Sequence, residues 1–325
     1  MINFEYIRAF TAKGATDAAI KNKAAAFIAG GTNLVDLMKK EVIAPQRLID
    51  INGLPLKQIT PGAKGITIGA LALNSEVAEH EIVKANYPLL AMALNAGASP
   101  QLRNMATVGG NMMQRTRCTY FYDIAMPCNK RKPGSGCGAL QGYNRMHAIF
   151  GSSSACIAVH PSDMCVALAA MNATVTVSGQ KGERKILFTD FHRLPGTTPE
   201  KDNSLQPGEL ITAVSVPSNL FNKNYYLKIR DRASYAFALV SVAVALEVKD
   251  DIIKSARLAM GGVAHKPWRL EETEKFLTGK SITKENFAAA AEAAMKGAKT
   301  YGHNNFKIKL GKAAITEALM KAVAK

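Results

Sequence analysis

"AAAFIAGGTNLVDLMKK", Ala24 to Lys40, changes its period halfway along. Residues Ala24 to Gly31 form a short apolar run that stops at a double glycine. Leu34, Leu37 and Met38 then recur at helical spacing, with Thr32 or Asn33 available as an N-cap. The stretch reads as strand, glycine turn, helix. Such a turn leaves backbone N–H groups bare and lets a ligand approach closely, and the positive end of the helix favours an anion there. A second turn, "ATVGGN" (Ala106 to Asn111), has the same character. Neither is a G-x-G-x-x-G fingerprint, so a Rossmann NAD site is not indicated. One GG pair is commonly just a tight bend; two, both edged by small polar residues, point to a shared pyrophosphate.

Working outward, "RLIDI" (Arg47 to Ile51) and "GITIGALALN" (Gly65 to Asn74) read as strands, and "EVAEHEIVKANYPLLAMALNAG" (Glu76 to Gly97) as one or two helices. "SDMCVALAAMNATVTVSG" (Ser162 to Gly179) reads as a buried helix running into a strand. After the Pro- and Gly-rich loop His192 to Glu209, four segments look like sheet strands: "LITAVSVP", "YYLKIRDR", "ALVSVAVALEV" and "IIKSARLAMGGV". From about Glu271 the pattern turns helical. Strands followed by helices predict a separate α+β domain from near residue 220.

The chain has 325 residues, 48% of them hydrophobic, enough to bury one large or two moderate cores. No window is apolar enough for a membrane span, and the N-terminus carries no signal of its own. The net charge of +16 is spread along the chain, with "CNKRK" (Cys128 to Lys132) as its one dense run, so nucleic-acid binding is not expected.

All five cysteines fall within the 48 residues from Cys118 to Cys165. Cys118, Cys128, Cys137 and Cys156 are separated by nine, eight and eighteen residues, which are not zinc-finger spacings. An odd count in a chain of this size is a poor disulfide framework. A long loop can, however, wrap a [4Fe–4S] cube with four thiolates, and glycine and proline in "KRKPGSGCG" let it turn. Arg115, Arg117, Lys130, Arg131, Lys132 and Arg145 lie nearby in sequence and are expected to compensate the negative charge of the site. Cys165, on an apolar helical pattern, reads as a small buried hydrophobe outside the ligand set.

"FIAGGTNLVDLMK", "LRNMATVGGNM", "HPSDM", "ELITAVSVP" and "KIRDRASYAFALVSVAVAL" together resemble the FAD-binding subunit of the molybdenum hydroxylases, the flavoprotein family of xanthine dehydrogenase, carbon monoxide dehydrogenase and the aldehyde oxidoreductases. The resemblance covers nearly the whole chain in the family's order. The cysteine stretch is similar to an insertion found in the flavin subunits of 4-hydroxybenzoyl-CoA reductase and of bacterial periplasmic aldehyde oxidoreductases, where it holds an extra [4Fe–4S] cluster; its form here is most similar to the aldehyde oxidoreductase type.

The resemblance implies an α+β fold: a vanillyl-alcohol-oxidase-like FAD-binding domain over 1–220, with subdomains 1–55 and 56–220 and the cluster loop at 112–160. A C-terminal domain, 221–325, with a three-stranded sheet and helices would follow. It implies that Phe27, Ile28, Ala29, Gly30, Gly31, Thr32, Asn33 and Leu34 form the first FAD turn, the pyrophosphate lying on the amides of Ala29 to Asn33. Thr107, Gly110 and Asn111 would close from the second turn. Asp163 would accept from ribose hydroxyls, Ile211 would pack on the isoalloxazine, and Lys228 would stand at the same ring's polar edge. The aromatic cover that several relatives carry is absent, since its position falls near Gly97.

The function implied is electron transfer, with no catalytic residue in this chain. A large subunit with a molybdenum cofactor and a small subunit with [2Fe–2S] clusters would complete a heterotrimer that oxidises an aldehyde, and oxygen, a quinone or a redox protein would accept the electrons. Assembly is expected in the cytoplasm, with export to the periplasm on a partner's twin-arginine signal. The rivals are a hydroxybenzoyl-CoA-reductase-like subunit, a free-standing flavin oxidase, and a basic iron–sulfur protein that binds nucleic acid.

Overall fold

In the computed structural model, which describes residues 1–218 and 221–324, the chain opens with β1 (Glu5–Arg8), α1 (Ala12–Lys21), β2 (Ala25–Ile28), α2 (Leu34–Lys39) and β3 (Arg47–Asp50). The strands form a parallel sheet ordered β1-β3-β2. Thr11 caps α1 by accepting from the Gly14 N–H. At α2 the N-cap position belongs to Asn33, but its side chain makes no capping bond; it is engaged elsewhere.

A five-stranded antiparallel sheet, ordered β4-β5-β8-β6-β7, forms the second layer. It begins with β4 (Ile59–Gly62) and β5 (Gly65–Gly69). The strand expected to reach Asn74 stops at Gly69, where the chain bends so closely past Leu56 that a Cβ would lie 2.2 Å from its carbonyl oxygen. Three short helices follow instead of one or two: α3 (Asn74–Glu79), α4 (Glu81–Asn86) and α5 (Pro88–Ala96). Proline has no N–H and pushes the residue before it out of the helical region, which accounts for the break at Tyr87. Next come α6 (Pro100–Arg103), α7 (Val108–Met112) and α8 (Thr119–Tyr122), then α9 (Asp163–Ala170), β6 (Thr174–Gly179), β7 (Gly182–Leu187), α10 (Phe188–Phe191) and β8 (Leu210–Pro217). Every residue of α9 is buried, as a helix apolar on all sides requires. Sequence reasoning missed β1, β4 and β7. In β7 only Ile186 is buried, so this charged edge strand shows no apolar alternation.

The last sheet is antiparallel and ordered β12-β11-β10-β9, from β9 (Lys223–Ile229), β10 (Val240–Lys249), β11 (Ile252–Gly261) and β12 (Trp268–Arg269). It has four strands rather than three, because β12 is two residues long and leaves no periodic trace. Helices α11 (Glu271–Leu277), α12 (Lys284–Ala294) and α13 (Phe306–Val323) complete the chain. Phe287, Ala290, Ala314 and Ile315 pack in one core with Val242 and Val244 of β10. Among the described residues, no helix is long and apolar enough to cross a membrane.

The C-terminal layer also grips the loop after the third cysteine. Asn144 donates to the Tyr301 carbonyl at 2.7 Å and accepts from the His303 N–H at 3.0 Å. Lys307 is fully buried, donating to the carbonyls of Gly262 at 2.7 Å and His147 at 3.0 Å. Burial, with Arg145 nearby, lowers its pKa from 10.5 to about 7. The unfolded chain therefore binds more protons between pH 7 and 10.5, so this group makes the fold gain stability as pH rises through that window and lose it as pH falls. The contribution is about 1.4 kcal/mol per pH unit at most. Melting temperatures across the window should show this rise in the native protein, and the Lys307→Met variant should lack that component of it.

Candidate functional site

The two glycine turns meet face to face. A Cβ on Gly30 would lie 1.8 Å from the Met105 carbonyl oxygen, so only glycine permits the contact, and Gly31 holds φ +69°. Behind the first turn, the Asn52 amide donates to the Ala29 carbonyl at 3.2 Å and to Asp50 at 2.8 Å. Behind the second, Val108 and Gly109 donate to the carbonyls of Ala72 and Ala70. The backbone N–H groups of Gly31, Thr32, Asn33 and Leu34 donate to no acceptor among the described residues. Bare amides beside a water-accessible cleft suit an anionic group such as a pyrophosphate. Thr107 Oγ1 accepts from the Gly110 N–H at 3.2 Å, which leaves its O–H free to donate. The Asn111 side chain is already held, accepting from Ser162 and from Gln114.

From these turns the cleft runs in two arms that meet at Thr32, Asn33, Ala106, Gly110 and Gln114. The apolar arm, about 380 Å³, is walled by Phe27, Ala29, Leu34, Ile43, Ile51 and Ile211. Ile28 is not among the residues that line it. The other arm, about 530 Å³, is polar and cationic, and Asp163, Lys228, Arg232, Tyr235 and Phe237 line it. Ile211 and Lys228, expected at one ring, line different arms of the cleft. Gly97 lies in the cationic arm, and Tyr235 and Phe237 on the segment before β10 bring aromatic surface there.

Ser162 caps α9, accepting from the Cys165 N–H at 3.1 Å, so Asp163 is free of that duty. The Asp163 carboxylate instead accepts from Lys228 and from the Tyr226 hydroxyl, each at 2.8 Å. Lys228 also donates to the Ala96 carbonyl at 2.9 Å, and the side chains of the pair are only 7% and 4% exposed. Two carboxylate oxygens carry about four acceptor positions, so lone pairs remain for ligand hydroxyls. A two-armed cleft with an amide cradle, an apolar slot and a buried cation matches the parts of a flavin dinucleotide.

Cys118, Cys128, Cys137 and Cys156 line one small closed space. Glycine turns shape it: Gly134 and Gly136 have φ +84° and +97°, and the Tyr120 ring occupies the room where Gly138 and Gly142 would carry a Cβ. Cys128 and Cys137 pair as an isolated bridge, and Asn129 ties that bridge to the Ala155 carbonyl. The Ala158 backbone N–H donates to the Cys156 sulfur at 3.4 Å. His147 Nε2 stands 3.1 Å from Cys118 Sγ; sequence reasoning had given this histidine no role, since nothing near it in the chain marks it. Burial pushes the Cys118 thiol up to about 12 and the Cys156 thiol to about 11. Such sulfurs become thiolates only where a metal takes the place of the proton. Four cysteines around one space, Cys128 and Cys156 buried and Cys118 and Cys137 half-buried, fit the donor set of an iron–sulfur cluster.

The cations expected to balance this site are mostly spent elsewhere. Arg115 and Lys130 both bind Asp202, and Lys130 also donates to the Pro199 carbonyl. Burial alone would raise the Asp202 pKa, but Lys130 and Arg115 hold it well below the usual carboxylate range. Arg117 pairs with Asp36, Arg145 grips Asp231 through two bonds, and Arg131 donates to four backbone carbonyls. These groups staple the loop. Asn33 joins the two sites: its Oδ1 accepts from the Arg115 N–H at 2.8 Å and its Nδ2 donates to the Tyr122 hydroxyl.

Cys165, on α9, lines none of the space the other four share. It lies with His160 and His192, one ligand atom from each within 4.8 Å of the others. Burial lowers the pKa of both histidines, that of His192 to about 4, and raises Cys165 to about 12.

The sequence matches the FAD binding domain in molybdopterin dehydrogenase over residues 2–219 and the CO dehydrogenase flavoprotein C-terminal domain over 225–322. The aldehyde oxidoreductase FAD-binding subunit PaoB of Escherichia coli is 48% identical over 99% of this chain and 98% of its own. The glyceraldehyde dehydrogenase medium chain of Sulfolobus acidocaldarius is 31% identical over 86% and 82%. Carbon monoxide dehydrogenase from Hydrogenophaga pseudoflava superposes with a TM-score of 0.78 at 26% identity, covering 99% of this chain and 98% of that one.

Two outcomes follow from the cleft. Gly30→Ala should keep the turns apart, so that the purified protein shows little or no flavin absorbance. Asp163→Leu alone strands the buried Lys228 ammonium and should cost about 3–5 kcal/mol, whereas the double variant Asp163→Leu/Lys228→Met should lie closer to native stability in thermal unfolding.

Proposed function

Because the chain belongs to the flavoprotein family of the molybdopterin dehydrogenases and binds FAD, we propose that it is the electron-transfer subunit of a molybdenum-dependent aldehyde oxidoreductase. It would take electrons that arise at a large subunit's molybdenum site, by way of a small [2Fe–2S] subunit, and hand them to oxygen, a quinone or a redox protein. FAD, together with a [4Fe–4S] cluster on Cys118, Cys128, Cys137 and Cys156, supplies the redox chemistry when bound. The observation that carries this reading is contiguity: Cys118 and Asp163 line one cavity of about 210 Å³, and Asn33, on the first glycine turn, holds Arg115 and Tyr122 of the cysteine loop. The cluster rests on the geometry and donor chemistry of this chain's own cysteines.

Each part of the cleft then has one task. The bare amides of Gly31 to Leu34 receive the pyrophosphate, and the apolar arm with Phe27 and Ile211 receives the adenosine end. The cationic arm takes the ring system, where Lys228 favours negative charge on its polar edge and Asp163 holds Lys228 in place. Tyr235 and Phe237 shield the arm in place of the aromatic cover missing near Gly97. We place assembly in the cytoplasm, with any export depending on a partner subunit.

Aldehyde added anaerobically should reduce the flavin in the complete complex and leave it oxidised in the isolated chain; reduction in the isolated chain would make it a free-standing oxidase. Serine at Cys118, Cys128, Cys137 or Cys156 should each remove iron and acid-labile sulfide, while Cys165→Ser should leave both unchanged. Full iron content in the first four variants would end the cluster assignment.

A further inference from the structure

Only one side chain among the described residues lies within hydrogen-bond distance of a sulfur of the four-cysteine set: His147, whose Nε2 stands 3.1 Å from Cys118 Sγ. We propose, on the cluster reading above, that His147 sets the reduction potential of the cluster by donating its Nε2–H to the Cys118 sulfur. A sulfur bound to iron is a thiolate and has no proton to give, so the imidazole must be the donor. Nδ1 then carries a bare lone pair, and it is buried without a partner.

The ring has little freedom to leave. His147 is 5% exposed, with the Tyr120 ring centroid 6.3 Å away. Its N–H donates to the Asn144 carbonyl, and its own carbonyl accepts from Asn304 and from the buried Lys307. The C-terminal domain thus aims a donor at a cysteine more than a hundred residues earlier in the chain. The corner it touches is also the only one of the four that lines the cavity shared with Asp163, so the tuned sulfur faces the cleft. An added electron increases the negative charge on the cluster sulfurs, and an N–H to sulfur stabilises that state more than the oxidised one. Removing the donor makes reduction harder.

The test uses the holo-complex with His147→Phe, which keeps a ring without a donor, and His147→Gln, which keeps an amide N–H. Iron and sulfide are measured first, and the cluster is then titrated with dithionite under electron paramagnetic resonance. Full iron is expected in both. In His147→Phe the reduction constant should fall about tenfold, a midpoint about 59 mV lower for one electron. His147→Gln should keep most of the native value, and the flavin midpoint should move in neither. An unchanged cluster midpoint in iron-replete His147→Phe would overturn the proposal, as would loss of iron confined to that variant, which would make the ring structural. A native complex holding no more iron than the small subunit's [2Fe–2S] clusters account for would instead remove the cluster reading on which the proposal stands.

Discussion

Between Gly30 and the carbonyl of Met105 there is no room for a single methyl group. That contact brings the end of a parallel strand against the approach to a helix in another layer. Gly109 repeats the arrangement on the far side, where a Cβ would crowd Ala70 at 3.0 Å. Gly109 donates to the Ala70 carbonyl it approaches, whereas at Gly30 the pressed backbones do not pair, and the N–H groups of Gly31 to Leu34 have no acceptor among the described residues. The close approach and the unpartnered donors are therefore one feature, and the cleft's two arms diverge from it.

Charge plays a structural part around the second site. A long loop of little regular structure would be expensive to order by its backbone alone, yet ion pairs fasten it at several points. Asp202, from the loop before β8, receives Arg115 and Lys130; Asp36 of α2 receives Arg117 and Tyr122; Asp231 receives Arg145. Each cation so paired contributes less net field at the sulfurs than its position in the sequence suggests. Stabilisation there falls to directed N–H groups, which act at short range and from fixed positions.

The same logic links the sites. Asn33 gives up the local task of capping α2 and uses both ends of its amide on the cysteine loop. A cap contributes about 1 kcal/mol to a helix, and α2 is held without it by Leu37 and Met38 in the core. A residue at the lip of the FAD cleft thereby fixes the wall of the four-cysteine space.

The sequence by itself determined the glycine turns, the helix and strand around them, the separate C-terminal layer and the division of the cysteines into four and one. All of these are local: they follow from periodicity of two or 3.6 residues, from glycine's freedom, or from the density of one residue type. Tertiary structure alone decided that Asp163 meets Lys228 across 65 residues, that Ile211 and Lys228 lie in different arms, that the loop's cations are already paired, and that His147 points at Cys118. Those outcomes depend on which surfaces pack together after the elements form. A side chain's partner is set by distance in space, and nothing in the neighbouring residues records it.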